Sequence, residues 1–90
     1  MHTLAERIPD LVNLRFTSWE GNRTAMLDDV MRDATIGEVL DEARRAMELP
    51  IDSAYKALLD GRVLNHMDTL ADVGIESDAE LEIAPDVQAG

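Results

Sequence analysis

Few side chains in this sequence could do covalent or metal chemistry, and none has a helper beside it. There is no cysteine, which removes both a disulfide framework and a thiolate metal site. The two histidines, His2 and His66, lack partners at ligand spacing, so no metal and no cofactor is expected. No nucleophile sits beside a base, and no Gly-rich loop could cradle a phosphate, so a catalytic role is not expected. One reactive group does stand out. Lys56 is the only lysine, so apart from the amino terminus it is the one primary amine open to acylation.

Charge narrows the partners. The chain has 90 residues with 19 acidic and 8 basic side chains, a net charge of −11. Nucleic acid is read through clustered Lys and Arg, and anionic lipid attracts basic segments, so both are set aside. Most of this charge is expected to be a solvated face, and what remains would steer a partner with a basic surface. The amino-terminal MHTLAERIPD carries acidic residues and no apolar h-region, and no apolar run could span a bilayer. The expectation is a cytoplasmic monomer. At this length there is one modest core, and a groove or a tail is the most the chain can offer a partner.

The elements that would position such groups are legible. Residues 1–10 read as a flexible extension, since nothing in them is periodic. From Leu11 to Thr17, Val12, Leu14 and Phe16 alternate with polar residues, the pattern of a half-buried strand. Ser18 to Asn22 is a turn, and Arg23–Val30 would return as a second strand. Its parity breaks, and a bulge near Asp28-Asp29 would restore it. Thr35 and Glu38 have capping-box spacing, and Ile36, Val39, Leu40, Ala43 and Met47 then form one helical face that ends before Pro50. Tyr55–Leu59, an Asp60-Gly61 turn and Arg62–Leu64 read as a hairpin. Thr69 to Ile75 holds one helical turn with Leu70 and Ile75 inward, and Glu80 to Ile83 is a last strand that Pro85 ends. The expected core is Val12, Leu14, Phe16, Val39, Leu40, Ala43, Leu64, Leu70, Ile75, Leu81 and Ile83. Trp19, in the first turn, is expected to fold over the sheet edge, with a role as a binding anchor the less common alternative.

This order, together with the TIGEV helix start, the Leu49-Pro50 exit, the Gly61 hairpin followed by Leu64, the Thr69-Leu70 turn, Ile75, Leu81 and Ile83, resembles the ubiquitin family from about Leu11 to Gly90. The resemblance implies an α+β fold, the ubiquitin-like β-grasp, with a mixed sheet of four to five strands and one packed helix. It divides the chain into an extension at 1–10, a domain at 11–84 and a flexible tail at 85–90.

In that family, modifiers end in a tail closing on glycine, whose carboxylate is adenylated, passed to an enzyme cysteine and joined to a lysine. By resemblance, Gly90 and Ala89 are the conjugation residues, and activating and conjugating enzymes and target proteins are the partners. A terminal glycine suits this chemistry because a Cβ would obstruct attack in a narrow channel. The tail could reach about 20 Å. Leu58, with Ala84, Val87 and Gln88, falls where the family's recognition patch lies. Lys56 flanks it as a possible chain acceptor. If the strand were read one residue out of register, Leu59 would face outward instead. The chain departs from the family where Ala89 replaces the first of two glycines and where the tail carries Asp86 and no arginine. A dedicated enzyme set would therefore be needed.

Two other readings compete. The stretch from Leu70 to Ile75 and from Leu81 to Ile83 is also similar to the small ubiquitin-like accessory proteins of bacterial type VII secretion systems, which are non-covalent modules. Those generally stop near the last strand, so the six residues from Pro85 favour a modifier. A sulfur carrier of the β-grasp type would be expected to end in two glycines.

Overall fold

A computed structural model describes residues 11–51 and 53–86. Five strands and one helix follow the chain as β1 (Leu11–Ser18), β2 (Thr24–Met31), α1 (Ile36–Ala46), β3 (Tyr55–Leu59), β4 (Arg62–Val63) and β5 (Ala79–Pro85). The strands form one mixed sheet in the order β2-β1-β5-β3-β4. β1 and β5 run parallel, while the other pairs are antiparallel. The helix packs across one face, as the sequence pattern implied. The segment read as an amino-terminal extension lies outside the described residues.

Alternation in β1 buries Val12, Leu14 and Phe16 beneath the helix. Ser18 is buried on the same side, and its hydroxyl is satisfied locally, donating to Asn22 Oδ1 at 3.1 Å and accepting from the Arg23 N–H at 3.3 Å. The bulge in β2 is where the parity failed. Val12 pairs with Val30 but Leu14 pairs with Leu27, leaving one extra residue on β2. Asp29 absorbs it at a φ of 57°, and its N–H donates to Asn13 Oδ1 at 3.0 Å. Leu27 and Val30 thereby both pack against the core.

The helix is capped at both ends. Glu38 N–H donates to Thr35 Oγ1 at 3.2 Å and Thr35 N–H to Glu38 Oε1 at 2.9 Å, closing the capping box. Further donors at this end are taken by a neighbouring loop, Ile36 N–H reaching Asp68 O at 2.8 Å and Gly37 N–H reaching His66 O at 3.0 Å. At the other end Leu49 N–H bonds to Arg44 O and Glu48 N–H to Arg45 O, with Glu48 left-handed at a φ of 58°. That is a Schellman stop without its usual glycine.

In the second half, Asp60 and Gly61 both take positive φ, 54° and 80°, as a two-residue primed turn requires. β4 is one residue shorter than expected because Leu64 turns into the core, its N–H donating to Ala57 O. All eleven residues named for the core are buried, joined by Ala25, Ile36, Met47, Leu49, Tyr55 and Ala57.

β5 runs from Ala79 through Pro85, one residue earlier and two later than the expected Glu80–Ile83. Beyond Ser18 and Ile83, β1 no longer pairs with β5. Asp86 N–H points at β3, donating to Ala54 O at 2.9 Å, so alternation aims the Pro85 nitrogen at the side β1 has left. A missing donor there breaks no ladder bond.

Thr69 and Asp72 form a small reciprocal cap on the turn below the sheet, Thr69 N–H donating to Asp72 Oδ2 and Asp72 N–H to Thr69 Oγ1, both at 3.0 Å. The Thr69 backbone N–H, and then its hydroxyl, hold the Asp72 carboxyl below the usual carboxylate range. A depressed carboxylate stabilises the fold above its unfolded value, and the contribution fades as pH falls through the folded one. Acid titration of stability, followed by circular dichroism, should accordingly be shallower for Asp72→Asn than for the parent in that range.

Candidate functional site

The sheet face opposite the helix carries the candidate residues. Lys56 and Leu58 share one parity of β3, while Tyr55 and Ala57, of the other parity, are buried in the core. Leu59 is half-buried and packs against the core. Leu58 therefore lies on the open face, as expected, but half-buried rather than fully exposed. Ala84 pairs with Lys56, so β3 and β5 bring Lys56, Leu58 and Ala84 together on this face. Val87, Gln88, Ala89 and Gly90 lie outside the described residues.

The patch around Leu58 is more acidic than the sequence suggested. Its partner across β5 is Glu82, with Glu80 two residues before on the same face. A groove of about 270 Å³ beside it is lined by Thr17, Leu58, Asp60, Glu80 and Glu82. Arg15 approaches Glu80 at 3.6 Å, an exposed pair of small energetic weight. Lys56 is thus a cation beside a row of carboxylates.

The sequence reading overlooked Val63. It pairs directly with Leu58 across the hairpin and is 54% exposed, so it supplies the apolar area that Glu82 denies on the other side. The signal was available, since a two-residue Asp60-Gly61 turn forces Leu59 opposite Arg62 and Leu58 opposite Val63. Trp19 folds over the end of the sheet, its ring 6.4 Å from that of Tyr55 at a 37° tilt. Tyr55 in turn pairs with Pro85, so the aromatic pair stands at the root of the tail.

Replacing Leu58 with alanine tests this placement. A half-buried leucine on an open face should cost about 1 kcal/mol or less of stability, while losing contact area for any partner seated there. A denaturant midpoint close to the parent, combined with weaker partner binding, is the expected result. A loss of core size would place Leu58 under the helix.

No family model matches the sequence, and no curated protein matches it. Solved structures do. A ubiquitin of Caldiarchaeum subterraneum superposes with a TM-score of 0.72 at 21% identity, covering 89% of this chain and 99% of the archaeal one. A chain from a structure described as molecular mimicry of SUMO promoting DNA repair gives 0.73 at 13% identity, covering 88% of this chain and 96% of its own. A de novo design based on ubiquitin gives 0.74 at 25%, covering 90% and 95%. The fold is the ubiquitin-like β-grasp. On this β-grasp, Lys56, Leu58, Val63 and Ala84 form the open-face cluster, and Trp19 and Tyr55 flank the exit of the chain from β5. Among the described residues no helix is long and apolar enough to cross a membrane.

Proposed function

We propose that this chain is a ubiquitin-like protein modifier, activated at the carboxylate of Gly90 and joined to target amines by a dedicated activating and conjugating enzyme set in the cytoplasm. The observation that carries the reading is the anchoring of the tail root on a ubiquitin-like β-grasp. The bond from Asp86 to Ala54 holds the chain to β3 one residue beyond β5, with Val87 to Gly90 following in the sequence. Four residues span at most about 13 Å, a reach set by the edge of a rigid sheet. Ala89 and Gly90 add little bulk to that terminus.

The chemistry needs no catalytic group from this chain. The Gly90 carboxylate attacks the α-phosphorus of ATP, releasing pyrophosphate and giving an acyl-adenylate. An enzyme thiolate then displaces AMP to form a thioester. A target amine displaces the thiolate, leaving an amide and losing a proton to solvent. The domain acts as a monomeric recognition surface, with the open face around Leu58 turned to the enzymes and the tail extended into their site. Because Lys56 lies within that face, a chain built on it would crowd the patch, and single attachments follow.

The test is incubation of the purified protein with ATP and the activating enzymes encoded near it. A thiol-sensitive adduct should form with the parent, and deletion of Gly90 should abolish it while the unfolding midpoint stays unchanged. Mass spectrometry of the products should find few links to Lys56. Absence of any thioester would move the function to a non-covalent interaction module.

A further inference from the structure

We propose that the groove between α1 and the start of β3 takes a tyrosine side chain of a partner protein, carried on an extended segment with a basic residue on either side. The inference does not depend on conjugation at Gly90. The groove holds about 190 Å³ and is lined by Gly37, Leu40 and Arg44 of the helix, by Ile51 and Tyr55, and by His66. Sites for cofactor-sized ligands run to about 300–1,000 Å³, whereas an apolar cavity of about 150 Å³ accepts a single benzene ring. The volume therefore suits one ring.

The walls select an aromatic ring with a polar tip. The Arg44 side chain is only 13% exposed, and its guanidinium is fixed, with Nε and Nη2 donating to Asp41 Oδ1 and Nη1 donating to Leu49 O. A planar cation held in place favours an aromatic neighbour over an aliphatic one. Tyr55 is 7% exposed, and its hydroxyl has no hydrogen-bond partner among the described residues. A buried phenol ordinarily has one. An incoming tyrosine hydroxyl can pair with it, whereas a phenylalanine would desolvate it and return nothing.

The two ends of the groove set the flanks. Ile36 N–H donates to Asp68 O, which places Asp68 beside Gly37, and Glu48 adjoins Leu49, to which Arg44 is tied. Asp41 is matched by Arg44 at 3.1 Å and Arg45 at 3.4 Å, but neither Asp68 nor Glu48 is in an ion pair among the described residues. From Gly37 to Glu48 the chain rises about 16 Å, which an extended peptide covers in about five residues. Lysines two residues to either side of the tyrosine would therefore stand opposite the two carboxylates. A second copy of this chain cannot supply the anchor, because its one tyrosine is the buried Tyr55.

The experiment follows the isotope-labelled full chain by nuclear magnetic resonance during titration with four synthetic peptides of one length. Three carry lysines two residues to either side of a central tyrosine, phenylalanine or alanine, and the fourth carries glutamates around tyrosine. The lysine-flanked tyrosine peptide should bind about tenfold more tightly than its phenylalanine counterpart. It should also bind at least about tenfold more tightly than the glutamate-flanked one, with affinity falling as salt rises. Shifts should map to Gly37, Leu40, Arg44, Ile51 and His66. In Tyr55→Phe the preference for tyrosine over phenylalanine should shrink to about twofold or less, the signature of a lost hydroxyl pair. Glu48→Lys and Asp68→Lys together should reverse the charge preference, and circular dichroism confirms that both variants are folded. Equal binding of the tyrosine and alanine peptides, a tyrosine preference unchanged in Tyr55→Phe, shifts centred on Leu58 or on β2, or no shifts at all would each overturn the proposal.

Discussion

Phe16→Ala lowers the unfolding free energy by about 3–5 kcal/mol, a large share of the roughly 5–15 kcal/mol that holds a native domain together. Phe16 is completely buried, and its strand lies between β2 and β5. Its direct neighbours across the sheet are Ala25 on one side and Leu81 on the other. Ala25 is small, so the ring fills space that β2 leaves empty, and the Ala25 methyl cannot reach into the cavity. Since β1 pairs on both edges, the backbone cannot shift inward to close the gap without breaking a ladder. Chemical denaturation should show a large drop in midpoint. A loss below about 2 kcal/mol would mean that the core relaxes around the site far more than this packing allows.

Gly37→Ala is the second large effect, and its direction runs against helix propensity. Alanine in place of glycine within a helix ordinarily gains about 1 kcal/mol. Here a Cβ at Gly37 would stand 3.3 Å from His66 O and 3.5 Å from His66 Cβ. That carbonyl oxygen is fixed, because it accepts the Gly37 N–H at 3.0 Å. Backing away to admit the methyl stretches this bond and disturbs the Ile36–Asp68 bond beside it. Overpacking of about 1–3 kcal/mol offsets the propensity gain of about 1 kcal/mol or exceeds it, so the variant should be less stable by up to about 2 kcal/mol. Thermal melts of the two proteins decide the sign, and a stabilised variant would show that the 66–68 loop yields readily.

The elements were largely legible because each is written in local chemistry. The capping box at Thr35 and Glu38, the primed turn at Asp60-Gly61 and the alternation of Val12, Leu14 and Phe16 need no distant residue to be recognised. Even the Asp28-Asp29 bulge showed itself as broken parity. The position of β5 between β1 and β3 is different in kind. Nothing in the alternation of Leu81 and Ile83 names its neighbours, and the likeness to ubiquitin implied a mixed sheet without placing β5 in it. The extent of β5 was misread for a related reason, since whether Pro85 ends a strand depends on which neighbour needs its missing donor. Leu58 was placed on the correct face, but its depth depends on Glu82 and Val63, which come from other strands. The residues proposed for conjugation, Ala89 and Gly90, rest on the family resemblance rather than on a local signal.

The parallel pairing of β1 with β5 sets the order in which the molecule can be assembled. The first strand to leave the ribosome must wait for the last, because Leu14 to Ser18 align with Ala79 to Ile83. Until those residues emerge, the β1–β2 hairpin and the helix can gather, but β1 exposes one hydrogen-bonding edge and Phe16 lacks Leu81. The β3–β4 hairpin likewise has no strand to join. Folding is thus a late, single closure rather than a progressive one, and its rate carries the entropy of joining distant parts of the chain. A polypeptide stalled before Ala79 would hold an open apolar edge, which makes the unfinished chain a natural client for chaperones and proteases.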